Sequence, residues 1–441
     1  MIPLEHAGFT LDISGVAGFF GGDEVLSAMN TIHFYKWRKY LGWYNSPGSY
    51  TVAKKYGRLA NARFWKGLFP GGNTDINKFL GFDGEKGPSF FGAHSGTRMS
   101  HTSYIAHLLL SECESLKRVE AEKPVVVASS PTRKTADGIY PTCSVSIVQL
   151  PPLPEPGSLK RPWKIWIAIF PILASVGCAV TCGYFRDWYC FSMILLGMFS
   201  SGFACYAAGR GELIFSQPST ADGSPAGDGI LYSGDRFVVL TGKEESVCAV
   251  TRGGFSLNLA GESQHHRMGV SSLLLVVQFL LQLLLIPQGT LFGQIMFLVT
   301  FVCSWLYNCY LSSIDKEEVQ RNILMSSILG IDPSNMKKYT FTKRTTAVVF
   351  LLLVLQPQDK ERMLNKLLPN KTDIWKKWKE QVLDQLDGEK PFDFPSIDSS
   401  NGKVDDHKLL ENLYAFANNA YEMYEKHTDQ ATMISSNERK V

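Results

Sequence analysis

From Met268 to Ile314 the chain carries no Asp, Glu, Lys or Arg, and Pro287-Gln288-Gly289-Thr290 interrupts this apolar run near its middle. Each half is close to the roughly 20 apolar residues that a helix needs to cross a hydrocarbon core, so the pattern predicts a transmembrane hairpin. A second pair of uncharged runs precedes it, at about Ile165 to Tyr184 and Trp188 to Ala208. The expected fold class is a membrane α-helical protein with four transmembrane helices as two hairpins.

The flanks read differently. Between the hairpins, residues 209–267 hold short β-type runs (Glu212 to Phe215, Gly229 to Tyr232, Arg236 to Leu240, Gly254 to Leu257) separated by Gly, Asp and Pro turns. They predict a small cytoplasmic antiparallel β insert. After the second hairpin, residues 315–429 predict a helical C-terminal cytoplasmic region. In it the apolar run Ala347 to Leu355 is too short to span and is expected to pack internally. A last amphipathic helix, about Asp405 to His427, places Leu409, Leu413, Phe416, Ala420 and Tyr424 on one face. Residues 430–441 are polar and terminal, and read as a disordered tail.

Upstream, residues 1–150 read as an N-terminal cytoplasmic region and 151–163 as a Pro-rich linker, since Pro151-Pro152-Leu153-Pro154 excludes helix. Two short strands are expected before the linker, at Pro124 to Ala128 and Ser144 to Val148. The N-terminus shows no basic stretch followed by an apolar run, so insertion is expected to be directed by the first membrane helix, the leading half of the hairpin at 164–208. Lys160, Arg161, Lys164, Arg210, Arg267, Lys316 and Arg321 flank one side of the four spans; the two hairpin tips carry little charge. The positive-inside rule then puts both termini in the cytoplasm, and the sequon Asn370-Lys371-Thr372 should carry no glycan.

The two hairpins differ inside. Small residues recur at four-residue steps in the first (Ser175, Ala179 and Gly183, then Gly197, Ser201 and Cys205), a pattern that lets helix backbones approach closely in lipid. The second is bulky, and its polar groups are amides. Gln278 and Gln282 lie one turn apart, and Gln282 and Gln294 are expected at similar depth on either side of the turn, where they can pair across helices or line a polar path. No ionisable residue lies deep in any of the four runs, which argues against an ion-coupled pump or carrier.

Composition adds limits. Charged residues make up 19% and the net charge is +3, which points to no particular partner. The nine cysteines are an odd number concentrated around the apolar runs, which suggests small buried fillers and no disulfide framework. From Thr31 to Thr74 eight basic residues and no acid mix with eleven aromatic ones. Such a segment suits a folded cytosolic region with a basic face, a membrane surface, or single-stranded nucleic acid, the last being the least favoured. Contact with anionic headgroups is expected from Lys36, Arg38 and Lys39, and from His265, His266 and Arg267 beside the third run.

No catalytic, cofactor or metal constellation stands out. Cys178 and Cys182 lack further ligands at zinc spacing, Asp222, Asp228 and Asp235 do not match a calcium loop, and Gly92 and Gly96 form no phosphate-binding pattern. His94, His101 and His107 have no partnered nucleophile in sequence.

Gly227-Asp228-Gly229-Ile230-Leu231, Asp235 to Leu240 and Val250 to Leu257, with Lys343 to Phe350 and Trp375 to Glu380, resemble a pattern in uncharacterised fungal multi-pass membrane proteins. The resemblance covers the second half of the chain and implies architecture only. The expectation is therefore a multi-pass integral membrane protein, foremost a non-enzymatic scaffold or adaptor with a cytoplasmic body. Its partners would be the lipid bilayer and either a second copy or another protein. The alternative is an oligomeric channel or lipid-handling protein; a membrane-bound enzyme ranks third. No cofactor is implied.

Overall fold

The computed structural model describes residues 20–71, 75–116, 120–121, 143–153, 159–162, 165–258, 262–332, 335–386, 391–395 and 404–438. The chain divides into two compact units. One combines Met1–Gly84, Pro156–Ser216 and Phe255–Ile323; the other combines Glu85–Glu155, Gln217–Gly254 and Leu324–Val441. The expected strand Pro124 to Ala128 and linker residues 154–158 lie outside the described residues.

Six helices form the framework of the first unit: α1 (Gly22–Asn30), α2 (Ser49–Gly57), α3 (Ile169–Tyr184), α4 (Trp188–Ala208), α5 (Glu262–Leu285) and α6 (Leu291–Ser312). With their flanking turns, four of these are long and apolar enough to cross a membrane: Ile165–Tyr184, Trp188–Ala208, Ser263–Gln288 and Leu291–Ser312. This suggests a membrane protein. Large apolar side chains on them, among them Leu173, Val180, Phe199, Leu284 and Leu306, face outward. A soluble protein rarely exposes so much apolar surface, whereas a lipid-facing one does so as a rule.

Local chemistry sets the helix ends. Asp187 accepts from Cys190 N at 3.0 Å and caps α4, while Thr290 accepts from Gly293 N at 3.1 Å and caps α6. Between α3, α4 and α6 the core consists of Cys178, Ala179, Cys182, Cys190, Met193, Ile194, Phe297 and Phe301.

The second unit is built on a seven-stranded mixed sheet. Its strands are β1 (Ser89–Gly92), β2 (Arg98–Met99), β3 (Glu120–Ala121), β4 (Cys143–Gln149), β5 (Gly229–Ser233), β6 (Arg236–Thr241) and β7 (Met336–Phe341), in the order β2-β1-β5-β6-β4-β7-β3. The β5–β6 hairpin expected in the insert is present, with Leu231 opposite Val238. It does not stand alone. β1 pairs with β5, and β4 pairs with β6 in parallel, with Val145 beside Phe237. The other two runs of the insert, Glu212–Ser216 and Gly254–Asn258, pair with each other in a separate two-stranded sheet. An isolated hairpin cannot bury a face, and the strands that cover this one come from distant segments that local pattern does not connect.

The helix Arg344–Leu355 holds the apolar run 347–355, and Thr345 to Leu353 are all buried. It shares one core with strand residues Val145, Val239 and Phe341 and with Leu413 and Ala420 of the final helix. That helix runs Val404–Glu438, beyond the expected end near His427. Trp378, fully buried, donates from its indole to Leu413 O at 3.1 Å.

Candidate functional site

Residues 20–84, expected as part of one N-terminal region with 85–150, fold instead with the four long helices. The segment between α1 and α2 threads among them. A Cβ on Gly209 would overlap Lys39, one on Gly42 would overlap Cys205, and one on Gly202 would overlap the Trp43 ring. Glycine is required at these crossings because backbone meets side chain with no room for another carbon. Asn45 then reaches three helices at once. Its backbone N donates to Ser175 Oγ on α3 at 3.1 Å, and its Nδ2 donates to Thr300 Oγ1 on α6 at 2.8 Å. On α4 its Oδ1 lies where a Cβ of Gly197 would stand, and Gln278 Nε2 of α5 comes within 3.4 Å of that point. Ser175, Gly197 and Thr300 each sit near the middle of their helix.

Two further bonds hold the segment. Tyr44 Oη donates to Asn308 Oδ1 at 2.9 Å, and Asn308 Nδ2 donates to Ser46 Oγ at 3.3 Å. Gly48, with φ at 70°, turns the chain against Gly22, and α2 then returns along α5, with Tyr50 against Phe279 and Trp65 over Gly269. Trp65 Nε1 donates to His266 Nδ1 at 3.2 Å.

This geometry distributes the residues singled out from sequence. Ser175, Gly197 and Cys205 face the inserted segment, and Ser201 borders the same region through its carbonyl beside Gly42. Ala179 belongs to the core between helices, and Gly183 lies against Phe191. Gln294 Nε2 donates to Ile286 O and Gly289 O, both at 3.2 Å, and so closes the turn between α5 and α6. Gln278 and Gln282 are fully buried, and among the described residues neither amide atom of either has a hydrogen-bond partner. Lys36, His266 and Arg267 are exposed, Lys39 and His265 half-buried.

Arg38 departs most from its expected place. It is 1% exposed, with its Cζ 5.5 Å from the centre of the Tyr307 ring and with Tyr44 and Cys205 beside it. The guanidinium is hydrogen-bonded to Tyr44, but among the described residues its Nε and Nη1 have no hydrogen-bond partner and no carboxylate pairs with it. The unpartnered Asn45 Oδ1, Ser49 Oγ, Ser272 Oγ and Ser304 Oγ are buried in the same unit. The sequence signal was present, since Arg38 stands in an acid-free aromatic stretch, but nothing local says that such a stretch enters a helix bundle.

Searches of protein-family models, curated proteins and solved structures find no match to this chain. The resemblance of the second half to fungal multi-pass proteins gains no support from them and assigns no residue a role.

In the second unit a cleft of about 500 Å³ is bordered by Glu85, His101, His107, Glu114 and Arg236, and Arg236 is paired with Glu114. Asp228 accepts from Gly242 N at 2.8 Å, and Asp235 pairs with Arg344 at 3.0 Å, so both carboxylates hold turns. His94 lies 3.6 Å from Asp228. Among the described residues no group of three or more His, Cys, Asp or Glu is placed to hold a metal ion.

Proposed function

We propose that the four-helix unit handles a small polar or charged solute within a membrane, and that residues 21–57 enter the bilayer to about its middle as a re-entrant segment. The observation that carries this is the set of buried polar atoms without hydrogen-bond partners among the described residues: Nε and Nη1 of Arg38, the amides of Gln278 and Gln282, and the hydroxyls of Ser272 and Ser304. Each such group costs about 1–3 kcal/mol if nothing satisfies it. A membrane bundle that only anchored a body would be more stable with apolar residues there, and ionisable groups inside a membrane mark solute paths. Irregular backbone at membrane depth is tolerated where protein buries it or a cavity adjoins it, as around Gly42 to Gly48.

In this reading Trp37, Tyr40 and Trp166 form one interfacial belt and Tyr184, Trp188 and Tyr189 the other; all six are exposed. Lys36, Lys39, His266 and Arg267 then meet anionic headgroups, and both termini lie in the cytoplasm. Reconstitution into liposomes tests the reading. Flux of small ions or polar solutes above that of empty vesicles supports it. The double variant Gln278→Leu with Gln282→Leu should raise thermal stability while lowering flux. Wild-type vesicles no leakier than empty ones would refute it.

The scaffold or adaptor reading rests on a different observation, the cleft beside His101 and His107 in the second unit. Recovery of one stoichiometric partner from mild detergent, lost on Arg236→Ala, would favour it.

A further inference from the structure

We propose that Arg58 and Lys66 form a binding pocket for a phosphate monoester, supplied by a membrane lipid whose headgroup is the phosphate itself, as in phosphatidic acid. The pocket belongs to the four-helix unit. It uses the membrane placement of that unit but not its handling of solutes.

The first support is charge beside space. A pocket of about 260 Å³ is bordered by both cations, with Ala60, Phe69 and Pro70 as its apolar wall. Among the described residues no ion pair involves Arg58 or Lys66, and Arg58 Nε is buried without a hydrogen-bond partner. The sequence from Thr31 to Thr74 contains no acid, so the local chain offers no carboxylate to neutralise them. A phosphate monoester carries about −1.5 to −2 at neutral pH and three acceptor oxygens, which matches two cations, whereas a phosphodiester or a carboxylate brings one charge. The arginine fork and the lysine point charge are both suited to phosphate. At about 260 Å³ the pocket is far above the roughly 10–15 Å³ that admits one water and just below the roughly 300–1,000 Å³ of drug-sized sites, so a phosphate fits with the first atoms of its ester.

The second support is the way the guanidinium is held. Gly71, with φ at 144°, lays its backbone against Arg58: a Cβ there would come within 2.7 Å of Nε and 2.9 Å of Cζ. Glycine at this position therefore keeps Arg58 at the pocket edge without a clash.

Depth favours a lipid as the source. Trp65 packs over Gly269 and donates to His266, and Asn61 N donates to His265 Nδ1 at 3.3 Å. Residues 58–71 thus lie at the end of α5 where Arg267 closes the charged flank and the uncharged run from Met268 begins, which is headgroup depth. On the short helix Arg63–Leu68, Trp65 is buried while Phe64 and Leu68 are 67% and 45% exposed on either side of Lys66. Apolar side chains exposed beside a cation suit the boundary between headgroups and acyl chains, and a soluble phosphate would need neither.

The test uses the full chain in phosphatidylcholine nanodiscs doped with phosphatidic acid, or with phosphatidylglycerol at matched charge. Native mass spectrometry should retain one phosphatidic acid per chain. Thermal stability should rise with its content along a saturating curve and remain flat with phosphatidylglycerol. Lys66→Gln, at an exposed position, should weaken phosphatidic acid binding several-fold, and Arg58→Gln with Lys66→Gln about tenfold or more, as expected for lost charge-assisted contacts. Lys54→Gln, exposed and outside the pocket, should leave it unchanged. Equal loss on Lys54→Gln and Lys66→Gln would overturn the proposal, as would equal retention of the two lipids with no binding of glycerol 3-phosphate. Glycerol 3-phosphate bound in undoped discs and lost in the double variant, without preference for phosphatidic acid, would overturn the lipid source and leave a pocket for a soluble monoester. Phosphatidic acid binding without flux in vesicles leaves this pocket standing and removes the solute reading. Flux without phosphate binding does the reverse.

Discussion

Replacing Gly197 by Ala isolates the contact on which the inserted segment depends. In an ordinary helix interior this change stabilises by about 1 kcal/mol, because glycine has the greater backbone entropy to lose. At Gly197 the added carbon would overlap Asn45 Oδ1 and come within 2.8 Å of Asn45 Cγ. The amide cannot swing aside freely, since its Nδ2 is bonded to Thr300 and its backbone N to Ser175. Overpacking costs about 1–3 kcal/mol and the lost Asn45–Thr300 bond about 1 kcal/mol. After the helical gain is subtracted, the net destabilisation is about 1–3 kcal/mol. The assay is thermal unfolding in nanodiscs, where this corresponds to a drop on the order of 5 °C. A second arm makes the cause specific. With Asn45→Ala in place the obstruction is gone, and Gly197→Ala should then stabilise by about 1 kcal/mol, giving a non-additive cycle. A neutral or stabilising Gly197→Ala in the native background would refute the proposed fit of Asn45 between the helices.

One other outcome is expected. Asp187→Ala removes the acceptor shared by Cys190 N, Thr290 N and Thr290 Oγ1, the last two at 2.8 and 2.7 Å, and should cost about 2–4 kcal/mol; an unchanged unfolding temperature would contradict this.

Parts of this molecule are legible in its residues. Four uncharged runs of sufficient length predict the long apolar helices, because helix length and side-chain polarity are local properties. The buried helix Arg344–Leu355 and the apolar face of the last helix follow from periodicity in the same way. The β5–β6 hairpin is visible as two β-type runs about a turn and β4 as the run Ser144 to Val148, but the pairing of the hairpin with β1 and β4 is not, since strand pairing across about a hundred residues leaves no local trace.

The inserted segment divides the two kinds of information most clearly. Its ingredients are set by sequence alone: arginine and lysines without acids, aromatics at high density, and glycines at 42 and 48. So are the small residues on the apolar helices, which suggest helix pairing because another helix is the usual occupant of such a surface. Only the tertiary structure decided that part of that surface receives a polar chain segment, that Asn45 ties α3 to α6 beside α4, and that Arg38 lies buried away from the surface. The physical reason is that a groove of small residues constrains distance of approach but not the identity of what approaches. That identity depends on hydrogen-bond partners, here Ser175, Thr300 and Asn308, which lie more than a hundred residues away along the chain.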